Sequence, residues 1–447
     1  MGKDIMYWKN IKKIYGQAGH FCFHKNLKAW KLLPVFFLSI FIFLSGCASI
    51  YMPEVKKIPI DRFQPYEMPD GTKLFPGSAD ETIPDADILK INHEIKSLLD
   101  EKVVKIKNLD KRFNALIKII VQKVNYDAIK DRFGVKTAQE TFDTKTGNCL
   151  SFSNLFVAMA RYSGFKTNFQ EIPTLPNWTR EKETLFMTKH IGTSVDIPAR
   201  LNPVIQINIK GGLIGVDVDS GSDRFYFTPI YLDPMEPRLN PNFFRQITDD
   251  RAFAQFYNNI GSQRLAEGKD AEAFRYFVKA IKTDPELSYT WSNLGVVYRR
   301  NMQLDASEAA YLQGLAVIRS SRDISVMTIM NNLVNLYEIK GDTEKATFYE
   351  NQVASFREKH PYYKYIAART EFLDENYEMS IKRYKDAIRL KDDEHLFYYG
   401  LARAYQKTGN IEKAKKNIDK AIQYSWSNEK RIYYEKIRKE LGSNTIN

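Results

Sequence analysis

Cysteine is scarce in this chain, with three in 447 residues, at Cys22, Cys47 and Cys149. Cys22 precedes a long apolar run and Cys47 follows it, so beyond that segment one thiol remains, Cys149. A lone thiol excludes an intramolecular disulfide and needs another explanation. Histidine is nearly as rare: of six, only His93, His190, His360 and His395 lie beyond Cys47. There is no Cys/His cluster at zinc spacing, no glycine-rich phosphate loop and no dinucleotide fingerprint, so neither a metal nor an organic cofactor is expected.

The apolar run, Leu32 to Leu44, follows a stretch holding seven Lys and one Asp. That is a positive n-region and an h-region too short to span a bilayer comfortably. Leu44-Ser45-Gly46-Cys47 follows and resembles the lipobox of bacterial lipoproteins. The resemblance implies a signal at 1–46, cleavage before Cys47 and lipidation of its thiol. Residue 48 is Ala rather than Asp, which by the same resemblance points to the outer membrane, facing the periplasm. Residues 1–46 carry six of the twelve net positive charges, so the basic balance is partly an address label. The modest remainder, interspersed with acidic residues along the helices, makes no case for nucleic acid.

Residues 47–85 are rich in proline and charge and read as the lipidated N-terminus and its tether. Residues 86–250 read as an α/β or α+β unit, helical first and then alternating strands. From 251 the pattern changes to continuous helix pairs. Repeats begun at 254, 288, 327, 361 and 395 are spaced 34, 39, 34 and 34 residues apart. Gly261, Gly295, Val334, Ala368 and Ala402 then share the eighth position. Ala273, Ser307, Ala346, Ser380 and Ala414 share the twentieth; Ala280, Gly314, Val353, Ala387 and Ala421 share the twenty-seventh. Small residues at fixed phase let paired helices approach closely. The array resembles five tetratricopeptide repeats with a polar capping helix to about 442. Stacked pairs leave a concave face, which implies a protein or peptide partner.

Cys149 stands in Thr146-Gly147-Asn148-Cys149, a turn opening an apolar helix that Gly164 ends. A helix N-terminus favours thiolate over thiol and can stabilise an oxyanion. A thiol nucleophile needs a base. His360 and His395 fall in the repeats and His93 in the first helical stretch, which leaves His190, on the polar face of an expected strand. Asp217 and Asp219 stand two residues apart on a later expected strand. Trp178 is expected either on a loop over the cleft or packed within the domain.

Gly147-Asn148-Cys149 opening the helix, His190 heading a strand and Val216-Asp217 on a later one resemble the transglutaminase-like branch of the papain-type cysteine enzymes. Thr137-Ala138-Gln139-Glu140-Thr141 is similar to that family's lead-in, and the match covers about 90–235. The resemblance implies Cys149 as nucleophile, His190 as base and Asp217 as orienting acid, with Asp219 the alternative. It implies acyl transfer from an amide through a thioester. The fold class expected is therefore multidomain: an α+β transglutaminase-like (papain-type) domain plus an all-α tetratricopeptide-repeat solenoid. The leading expectation is a membrane-anchored peptidase or amidase. A non-catalytic envelope scaffold and a cross-linking acyltransferase are the alternatives.

Overall fold

The computed structural model describes residues 66–67, 73–74, 83–123, 134–181, 184–196, 207–209, 212–218, 224–230, 245–319, 323, 325–425 and 428–443. The lipobox segment with Cys47, most of the tether, and Asp219 lie outside them. No helix among the described residues is long and apolar enough to cross a membrane.

Two short strands, β1 (Tyr66–Glu67) and β2 (Lys73–Leu74), pair antiparallel. Four helices follow: α1 (His93–Leu99), continued by a π-helical turn at Asp100–Val104, then α2 (Leu109–Lys123), α3 (Ala138–Thr144) and α4 (Cys149–Tyr162). In α2, Phe113, Leu116, Ile117 and Ile120 are buried, the i, i+3, i+4, i+7 stripe that turns one helical face inward. They pack with Ile95, Leu99 and Val103 against Phe152, Leu155, Phe156 and Met159 of α4. The α4 helix is buried at every residue from Leu150 to Ala160 and is the central rod of this part. It stops at Ser163, and Gly164 takes the left-handed conformation, φ 87°, that reverses the chain at low steric cost.

The strands β3 (Thr167–Glu181), β4 (Thr184–Asp196), β5 (Ile207–Ile209), β6 (Gly212–Val218), β7 (Arg224–Ile230) and β8 (Arg245–Ile247) form one sheet in the order β5-β6-β7-β4-β3-β8. All its pairings are antiparallel. The β3–β4 register shifts between Ile172 and Asn177, across a segment with Pro173 and Pro176, residues that cannot donate to a ladder. Trp178 lies within β3, paired with Met187, and not on a loop.

Five helix pairs follow. They are α5 (Asp249–Ala266) with α6 (Asp270–Thr283), α7 (Ser288–Arg300) with α8 (Leu304–Ala316), α9 (Ser325–Lys340) with α10 (Thr343–Lys359), α11 (Pro361–Leu373) with α12 (Tyr377–Leu390), and α13 (His395–Lys407) with α14 (Ile411–Tyr424). The helix α15 (Asn428–Ser443) ends the array. A Cβ added at Gly295 would stand 2.5 Å from the Tyr311 ring and one at Gly261 2.7 Å from the Phe277 ring, so in the first two repeats the eighth position is held to glycine. In the second and fourth pairs the twentieth position closes the contact from the other side. Ser307 Oγ donates to the Gly295 carbonyl and Ser380 Oγ to the Ala368 carbonyl, each at 2.8 Å.

The described chain divides into two compact units at His360 and Pro361. Within the first, the sheet and the first repeats share a core: Phe169 and Ile191 cluster with Leu150, Val157, Ile247, Ala252, Phe256 and Tyr257. Arg161 of α4 grips Asp249 at the start of α5 through two bonds of 2.6 and 2.9 Å. In the second unit, Tyr362 donates to Glu394 at 2.7 Å, and His395 Nδ1 lies 2.8 Å from the Tyr434 hydroxyl. Burial, only partly offset by the Tyr362 bond, pushes the Glu394 carboxyl up from the usual carboxylate range.

Candidate active site

The loop before Cys149 is built by local hydrogen bonds. Thr137 caps α3, its hydroxyl accepting from Glu140 N while Glu140 Oε2 accepts from Thr137 N at 2.9 Å. Lys145 then adopts the left-handed conformation, φ 55°, and turns the chain toward Gly147. Asn148 caps α4, its Oδ1 accepting from Ser151 N at 3.0 Å, and Ser151 Oγ accepts from Asn148 N at 3.3 Å. This reciprocal capping box makes Cys149 the first residue of the helix. A Cβ at Gly147 would come 2.5 Å from Ser151 Cβ, so only glycine leaves room for the box.

Cys149 is half-buried and outside any disulfide. It stands in the first turn of the helix, where a developing negative charge is stabilised. Three polar residues tie this end of α4 to its surroundings. Ser151 Oγ accepts from Lys136 N at 2.8 Å, Asn154 Nδ2 donates to Lys136 O at 3.2 Å, and Ser153 Oγ donates to Ile191 O at 3.2 Å. Ser151, Ser153 and Asn154 are fully buried. Sequence reasoning missed them, although a Ser-x-Ser-Asn run inside an otherwise apolar helix was a visible signal. A buried hydroxyl or amide must find a partner.

The Ser153–Ile191 bond carries the geometry of the site. Cys149 is four residues before Ser153, about 6 Å up the same helix face, and His190 is the residue next to Ile191, about 3.4 Å along β4. The bond thus sets the turn of α4 that follows Cys149 beside the strand residue that follows His190.

The sheet does not bring Asp217 there. Ser194 of β4 and Asp217 of β6 both pair with Tyr226 of the intervening β7, so Asp217 is level with Ser194, four residues beyond His190. Four strand residues along and two strand spacings across amount to about 16 Å between backbones, too far for an imidazole–carboxylate hydrogen bond. Among the described residues no three His, Cys, Asp or Glu side chains gather as a metal site.

A cysteine at the capped N-terminus of a buried helix, packed on an antiparallel sheet and followed by helix pairs, defines an enzyme-like domain joined to a helical repeat array. Residues 96–184 match the Transglutaminase-like superfamily, and residues 396–425 match the Tetratricopeptide repeat. No curated protein matches the chain. Solved structures similar to it include YrrB, a TPR protein with an unusual peptide-binding site: 14% identical, covering 41% of this chain and 92% of that one, TM-score 0.21. The MamA protein is 18% identical over 41% of this chain and 95% of its own, TM-score 0.21. A thermophilic TPR protein of Thermus thermophilus is 19% identical over 41% of this chain and 97% of its own, TM-score 0.21.

Proposed function

We propose that this protein is a lipid-anchored cysteine hydrolase, a peptidase or amidase, whose repeats recruit a protein or peptide partner. The observation that carries this reading is the placement of Cys149 at the first position of a capped helix whose next turn is bonded beside His190. Cys149 Sγ attacks an amide carbonyl as thiolate, and the first-turn N–H groups stabilise the oxyanion. His190 gives its proton to the leaving amine, and the C–N bond breaks as the thioester forms. Water, deprotonated by His190, then releases the acid and restores the thiol.

The test is to trap the acyl-enzyme. Incubation with an activated ester is expected to add one acyl mass to the Cys149 peptide, removable by hydroxylamine and absent from Cys149→Ser. Decay of that adduct in water supports the hydrolase. Decay only with added primary amine would give the chemistry to a cross-linking acyltransferase instead, and no adduct at all would leave a binding protein.

The register of Asp217 is the observation that favours that binding-only scaffold, and it yields a separate prediction. Asp217→Asn is expected to leave adduct formation within about twofold, because an acid about 16 Å away cannot orient the imidazole, whereas loss of a true orienting acid costs roughly 10⁴-fold. Asp219→Asn is the comparator. A large loss in Asp217→Asn would show that the sheet register is not the one described.

The anchor rests on Leu44-Ser45-Gly46-Cys47 and on the alanine at 48, which supports an outer-membrane position facing the periplasm. Labelled palmitate is expected to enter the expressed chain and to be lost in Cys47→Ser. Equal incorporation in both would remove the anchor.

A further inference from the structure

The first helix of the second repeat is buried to a degree that its neighbouring helix pairs do not explain. In α7, twelve of thirteen residues are buried, whereas α11, the first helix of the fourth repeat, buries four of thirteen. A solenoid helix held only by its neighbours keeps a solvent face. In repeats one to three that face is taken, because α5, α7 and α9 all touch β4. Polar bonds join these helices into one row: Asn293 Nδ2 donates to Asn258 Oδ1 at 2.9 Å, and Asn332 Nδ2 donates to Ser292 Oγ at 3.0 Å. On β4 itself Ile191, Thr193, Ser194 and Val195 are at most 1% exposed, so both faces of the strand are covered.

One bond reaches from this row to the neighbourhood of the site. Gln255 of α5, buried, donates from Nε2 to Glu171 Oε1 at 3.3 Å. Glu171 on β3 is the direct partner of Ile191 in the ladder, and Ile191 is the residue that takes the Ser153 bond and adjoins His190. The strand at that level is thus held from one side by α4 and from the other by the repeat row.

We propose that the first helices of repeats one to three clamp β4 instead of holding a partner, and that Gln255 and Glu171 are positioning residues for His190. Partner recruitment then falls to the repeats at 361–424. The positioning role rests on the reading of His190 as base; the clamp does not. Two chemistries separate at position 255. Q255E sets a second carboxylate against Glu171 in a buried place, where like charges cannot both ionise. Combining it with E171Q restores one amide donor and one carboxylate acceptor with their polarity reversed.

Two readouts on the full chain test this. In Q255E the amides of 184–196 are expected to exchange with deuterium at least about tenfold faster than in the parent. The pH midpoint of Cys149 alkylation is expected to rise by about one unit or more. Both are expected to return toward parent values in the E171Q/Q255E double variant. Unchanged exchange in a folded Q255E overturns the clamp, whatever Cys149 does. Faster exchange with an unchanged midpoint overturns the positioning role and keeps the clamp. If His190→Ala leaves the parent midpoint where it was, the base assignment fails, and with it the positioning role, while the exchange result still decides the clamp. Should Q255E not fold, Gln255→Ala, which removes the donor without adding charge, is read in the same way.

Discussion

Alkylation of Cys149 by iodoacetamide is expected to titrate at least about two pH units below the ordinary thiol value near 8.5, and His190→Ala is expected to return the midpoint to roughly that value. The size of the shift is what discriminates. A helix N-terminus is worth about 0.3–1 kcal/mol to an exposed anion and up to about 2 kcal/mol to a partly buried one, and one pKa unit is about 1.4 kcal/mol, so the α4 dipole alone lowers the thiol by at most about one and a half units. A shift of two units or more needs a paired cation, and His190 is the histidine next to the strand residue that takes the Ser153 bond. The midpoint is a better readout than the rate, because a thiolate of lower pKa is also intrinsically less nucleophilic and part of the gain in thiolate fraction is offset. The modified site is read on the Cys149 peptide by mass, which keeps Cys22 and Cys47 out of the signal. A native midpoint near 8.5, or no native labelling of a thiol that labels after partial unfolding, would sink the activated nucleophile. The protein would then be a scaffold that keeps the shape of an enzyme.

The repeats could be read from the sequence because their packing needs one residue size at one phase. A small residue at the eighth position faces an aromatic ring or a hydroxyl from the partner helix, as Gly295 faces Tyr311 and Ala368 faces Ser380, and a period of 34 shows this without coordinates. The Cys149 helix was equally open to reading, since Asn148 is a capping residue ahead of an apolar run and Gly164 ends it. The level of one strand against another was not. Strand period two tells which face a residue takes but not which residue it stands beside two strands away, so Asp217 and His190 read as partners although Tyr226 sets Asp217 beside Ser194. The covering of β4 on both faces hid in the same way. Thr193 and Ser194 are polar and fully buried, so the alternation that marks a half-exposed strand does not describe it. What covers them lies some 60–140 residues later, in helices whose apolar pattern fits packing on each other as well as it fits packing on a sheet.

Trp291→Ala is expected to destabilise the first unit by about 3–5 kcal/mol, the usual cost of deleting a large buried aromatic. Trp291 is 1% exposed, its Nε1 donates to the Pro285 carbonyl at 2.8 Å, and a Cβ at Gly314 would stand 3.3 Å from the Trp291 Cβ. The second repeat is therefore assembled around this ring, and the tight packing leaves little slack for neighbours to collapse into the space. Gly295→Ala is the milder test of the same packing: its new Cβ would strike the Tyr311 ring, and overpacking of this kind costs about 1–3 kcal/mol. The more telling outcome is where the loss appears. Phe169 and Ile191 of the sheet share a core with Ala252, Phe256 and Tyr257 of the first repeat, and Arg161 ties α4 to Asp249. Loss of packing in α7 therefore reaches the elements that carry Cys149 and His190. Urea unfolding of Trp291→Ala, followed at once by far-ultraviolet circular dichroism and by exposure of the Cys149 thiol, is expected to give coincident transitions at lower denaturant than the parent. Two separated transitions, with helix lost first and Cys149 still protected, would mean that the repeats melt independently. The shared core would then contribute little to holding the site together.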